Sequence, residues 1–513
     1  MTNVSNTADL SGATGAYLPA QVRELDRIAI EEQGIPGYEL MTRAGQAFFA
    51  AAVERYPAAH RWLILCGSGN NAGDGYVIAR LALDAGLNVQ VVACSDPAKL
   101  AGDAATARQD FNDHSNGSDA LEWTGSIDAG EHDLLIDALL GTGLDRDLGG
   151  AYLDAVAAIN ATGLPALAVD IPSGLNGATG AIMGAAVNAS LTVSFVGLKQ
   201  GCLLGKGPDV CGELLLDDLG IAPVADTRVP PSLHIFGPAQ AEQLLPRRAR
   251  SGHKGTYGHV LVIGGNTGMG GAVRLAGEAA LRSGAGLVSV ATRPEHTQAI
   301  LEARPELMCR GITAAADIDE LLARASVLAL GPGLGQDDWA QQLFHRALAA
   351  GKPLVVDADA LNLLAGAPVQ RNDWVLTPHP GEAGRLLESS SGAVQADRLA
   401  ALEGLVRRYG GTVLLKGHGT LVASADTKAP WLIRGGNPGM GTAGMGDVLT
   451  GVTAAMLAQF GEADGGNFKQ VAATAAWLHA TAGDRAAVGG ERGLIASDLF
   501  TELRKCLNPG PAR

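Results

Sequence analysis

Short apolar runs, each ending in a turn of glycine and aspartate and followed by a helical pattern, recur along most of this chain, and that alternation limits the folds open to it. A strand that feeds a helix returns beside its predecessor as a parallel strand. The sheet is then wrapped on both faces, and its turns gather at one carboxyl edge. In the first half the expected strands are Trp62–Cys66, Val89–Ala93, Asp133–Asp137, Ala166–Asp170 and Leu191–Phe195, with helices at Asp74–Asp84 and Tyr152–Asn160. The second half restarts the rhythm, with strands expected at His259–Ile263, Leu287–Ala291, Val327–Leu330, Leu354–Asp357, Trp374–Thr377 and Thr412–Lys416. Helices are expected there over 271–284, 339–350 and 446–460. Residues 222–233, with Pro223, Pro230 and Pro231, interrupt the pattern. At 513 residues the chain exceeds one ordinary core, so the expected class is α/β with two domains. The expected division is a flexible lead-in over 1–14, a first domain over 15–225, a linker over 226–236 and a second domain over 237–507.

A net charge of −15 argues against nucleic acid or an anionic membrane as partner, so anionic ligands must be captured by local glycine loops and a few basic residues. The six cysteines show no C-x-x-C spacing, which argues against a disulfide framework or zinc site and fits a reducing cytoplasm. No apolar run approaches the roughly 18 residues of a spanning helix, and the N-terminus lacks the pattern of a signal peptide. Small-molecule substrates and a cytoplasmic homo-oligomer are the expectation.

Three strand ends in the first half carry polar chemistry. The first strand runs into GSGNNAGDG at 67–75, where Asn70, Asn71 and Asp74 bring polar atoms that a plain phosphate turn does not need. IDALLGTGLDRD at 136–147 and DIPSG at 170–174 place Asp137 and Asp170 at strand ends, the latter followed by Ser173. In a doubly wound sheet these ends share one crevice, so Asn71, Asp137, Asp170 and Ser173 converge. Oxygen donors of this kind suit a hard cation, and a spare carboxylate suits proton transfer; taken singly, either Asp could instead stabilise its loop.

In the second half, GPGLG at 331–335, DADALN at 357–362, TPHPGE at 377–382 and KGHGT at 416–420 each follow an apolar strand. Gly439–Gly451 is a glycine-rich turn running into an apolar helix, with Asp447 at the helix start. Glycines let backbone N–H groups converge on an anion, and a carboxylate there reads either as a base or as a helix cap. Asp357 and Asp359 read either as Mg²⁺ partners through water or as caps. Lys254, Arg247, Arg248 and Arg250 read equally as a nucleotide-attracting cluster or as a solvated surface.

Together GSGNNAGDG, IDALLGTGL and DIPSG resemble the epimerase domain of NAD(P)H-hydrate repair enzymes, a Rossmann-like doubly wound fold. The resemblance implies that Asn71, Asp137 and Ser173 bind K⁺. It further implies that Asn70, Asn71, Ala72, Gly73, Asp74, Gly141, Thr142, Gly143, Leu144, Asp145, Arg146, Asp147 and Asp170 contact hydrated NADH or NADPH, with Asp170 as acid/base; Lys199 matches a further lysine of the pattern, its charged end able to meet a phosphate or polarise the ring. HKGTYGHVLVIGG, GPGLG, TPHPGE, KGHGT and the last glycine turn are similar to the ribokinase-like NAD(P)H-hydrate dehydratases. That implies nucleotide contacts at Lys416, Gly417, His418, Gly419, Thr420 and Gly446, and hydrate contacts at Ala272, Gly333, Gly335, His379 and Asp447, with Asp447 as base. ADP is the implied phosphoryl donor, ATP its alternative, with Mg²⁺ on the phosphates. Met445 stands where threonine is frequent, removing a hydroxyl that could hold phosphate.

The expected function is therefore bifunctional: interconversion of the two hydrate configurations, and nucleotide-dependent removal of the hydroxyl from the S form. A small-molecule kinase for the second half and a binding scaffold for the first are the competing readings.

Overall fold

In the first half the apolar runs become β1 (Gly15–Ala16), β2 (Arg61–Cys66), β3 (Asn88–Ala93), β4 (Leu121–Glu122), β5 (Leu134–Ala138), β6 (Ala166–Val169), β7 (Leu191–Phe195) and β8 (Glu213–Asp217). The structure, a computed structural model, describes residues 15–115, 120–221, 228–425, 429–462 and 466–508. The lead-in expected over 1–14 lies outside the described residues. The chain divides into two compact units, Met1–His234 and Ile235–Arg513.

Strands β2 to β8 form a wholly parallel sheet in the order β4-β3-β2-β5-β6-β7-β8. Its central strands are buried and apolar apart from Arg61 at the start of β2 and Asp137 in β5, because both faces are covered. Connections run outward from β2 to β4 and then return to β5, so the order reverses between β2 and β5. The crevice at that switch point opens beyond Cys66 and Ala138. Helix Asn70–Asp84 begins at Asn70, four residues earlier than the sequence pattern suggested, directly after Gly69. The apolar periodicity starts later than the helix, whose first turn carries the polar site residues. A Cβ on Gly73 would meet Met41 and the Ala104 backbone, so glycine there permits close packing with helices Gly37–Arg55 and Gly102–His114.

The stretch expected as a linker contains β9 (Leu233–Ile235), whose Leu233 is fully buried and pairs antiparallel with β1. Pro230 and Pro231 end just before it and leave its ladder donors intact. Residues 222–227 lie outside the described residues.

The second unit contains β10 (His259–Ile263), β11 (Leu287–Thr292), β12 (Met308–Gly311), β13 (Val327–Leu330), β14 (Leu354–Val356), β15 (Trp374–Leu376), β16 (Thr412–Leu415), β17 (Thr420–Ser424) and β18 (Trp431–Ile433). They are ordered β18-β17-β16-β15-β14-β13-β10-β11-β12, parallel from β12 to β16, with β17 and β18 antiparallel. Asp357, Thr377 and Lys416, expected as last strand residues, lie just past the strand ends, so their side chains belong to the carboxyl edge. Helix Met445–Phe460 is almost wholly buried and packs along helix Gly270–Arg282. That contact needs Gly451, where a Cβ would run into the Ala276 carbonyl oxygen.

Candidate active sites

In the first unit, Asp137, the residue before the last of β5, has no exposed surface. Its carboxylate accepts hydrogen bonds from Ser173 N at 2.8 Å, Ser173 Oγ at 2.6 Å and Leu139 N at 3.2 Å. Burial nevertheless pushes its pKa up to about 6, against the lowering effect of those bonds. No basic side chain pairs with it among the described residues. Asn71 is buried beside Gly141, and its amide nitrogen has no hydrogen-bond partner. Asn71, Asp137 and Ser173 are thus gathered around the loop after β5. The Asp137 carboxylate, the Ser173 hydroxyl and the Asn71 side-chain carbonyl are oxygen donors that fit a monovalent cation, whereas the unpartnered Asn71 Nδ2 is an N–H donor and ligates none.

Asp170 follows β6 with φ +69°, a left-handed backbone that a non-glycine residue adopts only at some cost. It accepts from Phe195 N at 3.0 Å and is ion-paired with Lys199. Lys199, 1% exposed, also donates to Phe195 O at 2.8 Å. Two more carboxyls share this charge. Burial raises Asp74 well above its ordinary value, and the nearby Asp170 and Asp26 carboxylates raise it further. Asp26 is itself pushed up to about 6, mainly by burial, against the pull of Lys199. Sequence reasoning missed Asp26. It lies on helix Pro19–Arg27, brought here because Tyr17 bridges to Lys199, and no motif marks it. Ala72 and Gly73 sit in the helix packing and offer no side chain to the crevice. Asn70 is exposed at the helix start, and residues 141–147 form a partly to fully exposed loop beside it.

In the second unit, Lys416 lies past β16 and donates to Asp357 Oδ1 at 2.7 Å, with Glu382 Oε2 at 3.6 Å. Burial works against its charge, yet Asp357 and Glu382 hold its pKa above the ordinary value. Thr450 donates to the other Asp357 oxygen at 2.7 Å, tying helix Met445–Phe460 to β14. Thr450 was not singled out from sequence; its signal was its place one turn after Asp447.

Gly444, at φ +88°, is the N-cap of this helix, so Asp447 is not. Asp447 is pushed up to about 7, first by burial and then by the neighbouring Asp357, with Lys416 opposing. The first N–H groups of the helix have no partner within it and face the same place. Gly446 lies beside the Lys416–Asp357 pair: a Cβ there would be in ordinary contact with Lys416 Nζ at 3.5 Å and Asp357 Oδ2 at 3.7 Å. Met445 points away: its side chain is 5% exposed and belongs to the apolar core, so a different side chain there would also be turned from the anion site.

His379 caps helix Pro380–Leu386, with Nδ1 accepting from Gly381 N at 2.9 Å, which leaves Nε2 as the protonated nitrogen of the neutral ring. Burial lowers its pKa, so that neutral form is favoured. Asp359 accepts from Gly335 N at 2.8 Å, and a Cβ on Gly333 would touch Met269 and Ala272, so these three loops adjoin. The loop from Lys416 to Thr420 is held from behind by buried Arg398, which donates to the carbonyls of His418, Leu415 and Lys416. Among the described residues no group of three His, Cys, Asp or Glu could hold a metal alone. Arg247 and Arg248 do not join this site; they precede β10 and line a separate cavity at the opposite edge.

The fold and these sites define a two-unit α/β protein with a buried carboxylate crevice at the sheet edge of one unit and, in the other, a Lys416–Asp357 pair and the Asp447 carboxyl beside a helix start. Residues 37–201 match the YjeF-related protein N-terminus family, and residues 260–505 match the NAD(P)H-hydrate dehydratase family. The chain is 46% identical over 503 residues to the bifunctional NAD(P)H-hydrate repair enzyme Nnr of Coxiella burnetii, covering 97% of this chain and 100% of that one. It is 43% identical over 495 residues to the protein of the same name from Escherichia coli, covering 95% and 93%. A ribokinase-like superfamily protein from Enterococcus faecalis aligns with a TM-score of 0.50 at 30% identity, covering 54% of this chain and 95% of that one. The chain belongs to the bifunctional NAD(P)H-hydrate repair enzymes.

Proposed function

We propose that the first unit interconverts the R and S hydrates of NADH and NADPH, and that the second returns the S form to NAD(P)H at the expense of ADP. The observation that carries the second activity is Asp447: a carboxylate with its pKa near neutrality, at a helix start it does not cap, beside Lys416. A base that is half-deprotonated near pH 7 can take a proton from an alcohol while negative charge builds in front of the helix N–H groups.

In the proposed reaction Asp447 removes the hydrate's hydroxyl proton. The oxygen forms a bond to the terminal phosphorus of ADP as the bond to AMP breaks. The phosphate then leaves with the ring C–O electron pair, and the neighbouring ring carbon loses a proton to restore the double bond. The products are NAD(P)H, AMP and phosphate. Water is a poor leaving group and phosphate a good one, which is why a kinase-like site can perform a net dehydration. Lys416 and the glycines of 416–420 and 446 hold the phosphates, and Ala272, Gly333, Gly335 and His379 surround the ring. Mg²⁺, held by the nucleotide phosphates and water near Asp357 and Asp359, would neutralise phosphate charge.

In the first unit Asp170, aligned by Lys199, handles the hydroxyl proton during epimerisation. Asn70–Asp74 and Gly141–Asp147 bind the nucleotide. K⁺, held by Asn71, Asp137 and Ser173, would supply the charge that Asp137 lacks.

The test supplies both hydrates with ADP and follows NADH absorbance and free phosphate. Asp447→Asn is expected to lower dehydration by about 10²-fold or more while epimerisation, followed chromatographically, continues. Unchanged repair by Asp447→Asn would refute the assignment, and accumulation of a phosphorylated alcohol by the wild type would make the second unit a kinase.

A further inference from the structure

The basic run before β10 is not absorbed by either activity. Together with three helix ends it encloses a cavity of about 1050 Å³ in the second unit. It meets the end of helix Met445–Phe460 at Gln459 and Phe460, whereas the dehydration site lies at that helix's start. At about 1.5 Å per residue, the two are separated by roughly 20 Å.

Among the described residues the lining contains Arg247, Arg248, Arg282, Arg504 and His253 and no carboxylate, in a chain whose net charge is −15. Exposed helix C-termini carry partial negative charge, so some of this basic charge is used internally. Arg248 is so used: its guanidinium lies 3.7 Å over the Tyr257 ring and donates to Gln459 Oε1 at 2.6 Å and to the Gly284 carbonyl. Arg282 has a distant partner, Glu278, at 3.7 Å. No acidic partner faces Arg247 or Arg504 among the described residues.

Ser283, at the C-terminal end of helix Gly270–Arg282, closes the floor: it is 1% exposed, its Oγ is turned away from solvent, and its carbonyl accepts from Gln459 Nε2 at 2.9 Å. The walls are also fixed in advance. Glycine at 284 and 286 lets the Arg248 guanidinium and the Lys254 carbonyl lie against the backbone, and Gly252 does the same for the Tyr257 hydroxyl. Leu281, Phe460 and Leu507 add an apolar wall.

We propose that this cavity is a second ligand site, separate from both reaction centres, for a phosphate-bearing metabolite of nucleotide size. Arginine forks on Arg247, Arg282 and Arg504 pair with phosphate oxygens in two-pronged fashion. The apolar wall takes the uncharged part of the ligand. The volume is that of a small-molecule pocket.

The probe is radiolabelled inorganic tripolyphosphate, measured by equilibrium dialysis against the full chain. The Arg247→Ala/Arg282→Ala/Arg504→Ala variant is expected to bind one equivalent fewer per chain than the wild type, with its rate of NADH restoration unchanged in the absence of the probe. Arg504→Glu alone, on the exposed end of helix Leu499–Cys506, is expected to weaken that extra equivalent by about tenfold or more and serves if the triple variant does not fold. Equal stoichiometry and affinity in the wild type and Arg504→Glu would overturn the proposal. So would uptake lost only together with Lys416, which would place all bound probe in the dehydration site.

Discussion

Asp137 concentrates the electrostatic problem of the first unit in one residue. Its folded pKa is about 6 and its unfolded reference 3.8, so burial favours the protonated form. The stability this contributes is fully present below the unfolded value and is lost as pH rises through 6. Above that pH the ionised carboxylate costs about 3 kcal/mol unless a cation accompanies it. At pH 8, exchanging Na⁺ for K⁺ at constant ionic strength should raise the wild type's melting temperature. At pH 5, where Asp137 is largely protonated, the gain should shrink, and in Asp137→Asn it should vanish. A K⁺ gain of the same size in Asp137→Asn at pH 8, read by calorimetry, would remove Asp137 from the cation site.

At the scale of elements, each site depends on how closely two backbones approach. Helix Met445–Phe460 presents its start beside Lys416 only because Gly451 lets it lie against helix Gly270–Arg282. Alanine is the better helix former by about 1 kcal/mol, but its Cβ would displace the Ala276 carbonyl, an overpacking strain of about 1–3 kcal/mol. Gly451→Ala is therefore expected to destabilise the second unit in urea and to lower dehydration by shifting Asp447, with epimerisation untouched; a gain in stability would contradict this packing.

Much of this scale was legible in the sequence. Apolar runs mark buried parallel strands, and glycine and aspartate mark their carboxyl ends, so Asp137, Asp170, Lys416 and Asp447 could be placed on the right edges from spacing alone. Other parts were not legible, because tertiary packing decides them. The helix start at Asn70 is set by Gly69 and by contacts with two neighbouring helices. Edge strands such as β12 are half exposed and have too little apolar pattern to show. Arg398 and Asp26 reach their sites from distant elements, and residue type alone does not distinguish them from any other polar side chain. The mirror case is Arg247 and Arg248, whose charge was visible but whose edge of the sheet was not.

On the scale of the whole molecule, the chain carries two crevices of different chemistry in a fixed one-to-one ratio, each inside its own compact unit with its own core. Because the dehydration site takes one configuration at the hydroxyl-bearing carbon, the first unit decides how much of a mixed hydrate pool the second can repair. The separation can be read in a single progress curve. Asp170→Asn keeps the Lys199 neighbourhood filled but removes the carboxylate that it holds. Given both hydrates and ADP, this variant should restore NADH absorbance at the wild-type initial rate. The curve should then stop at the S fraction and creep onward only as fast as the R form converts without a catalyst. Adding Asp447→Asn protein, whose epimerisation is intact, should restart the stalled reaction, since the missing activities lie on different chains. If the mixture stays stalled, the two sites must act within one chain. If Asp170→Asn never stalls, epimerisation does not depend on that carboxylate, and the acid/base role passes to Asp74 or Asp26, whose raised pKa values already mark them as proton holders in the same crevice.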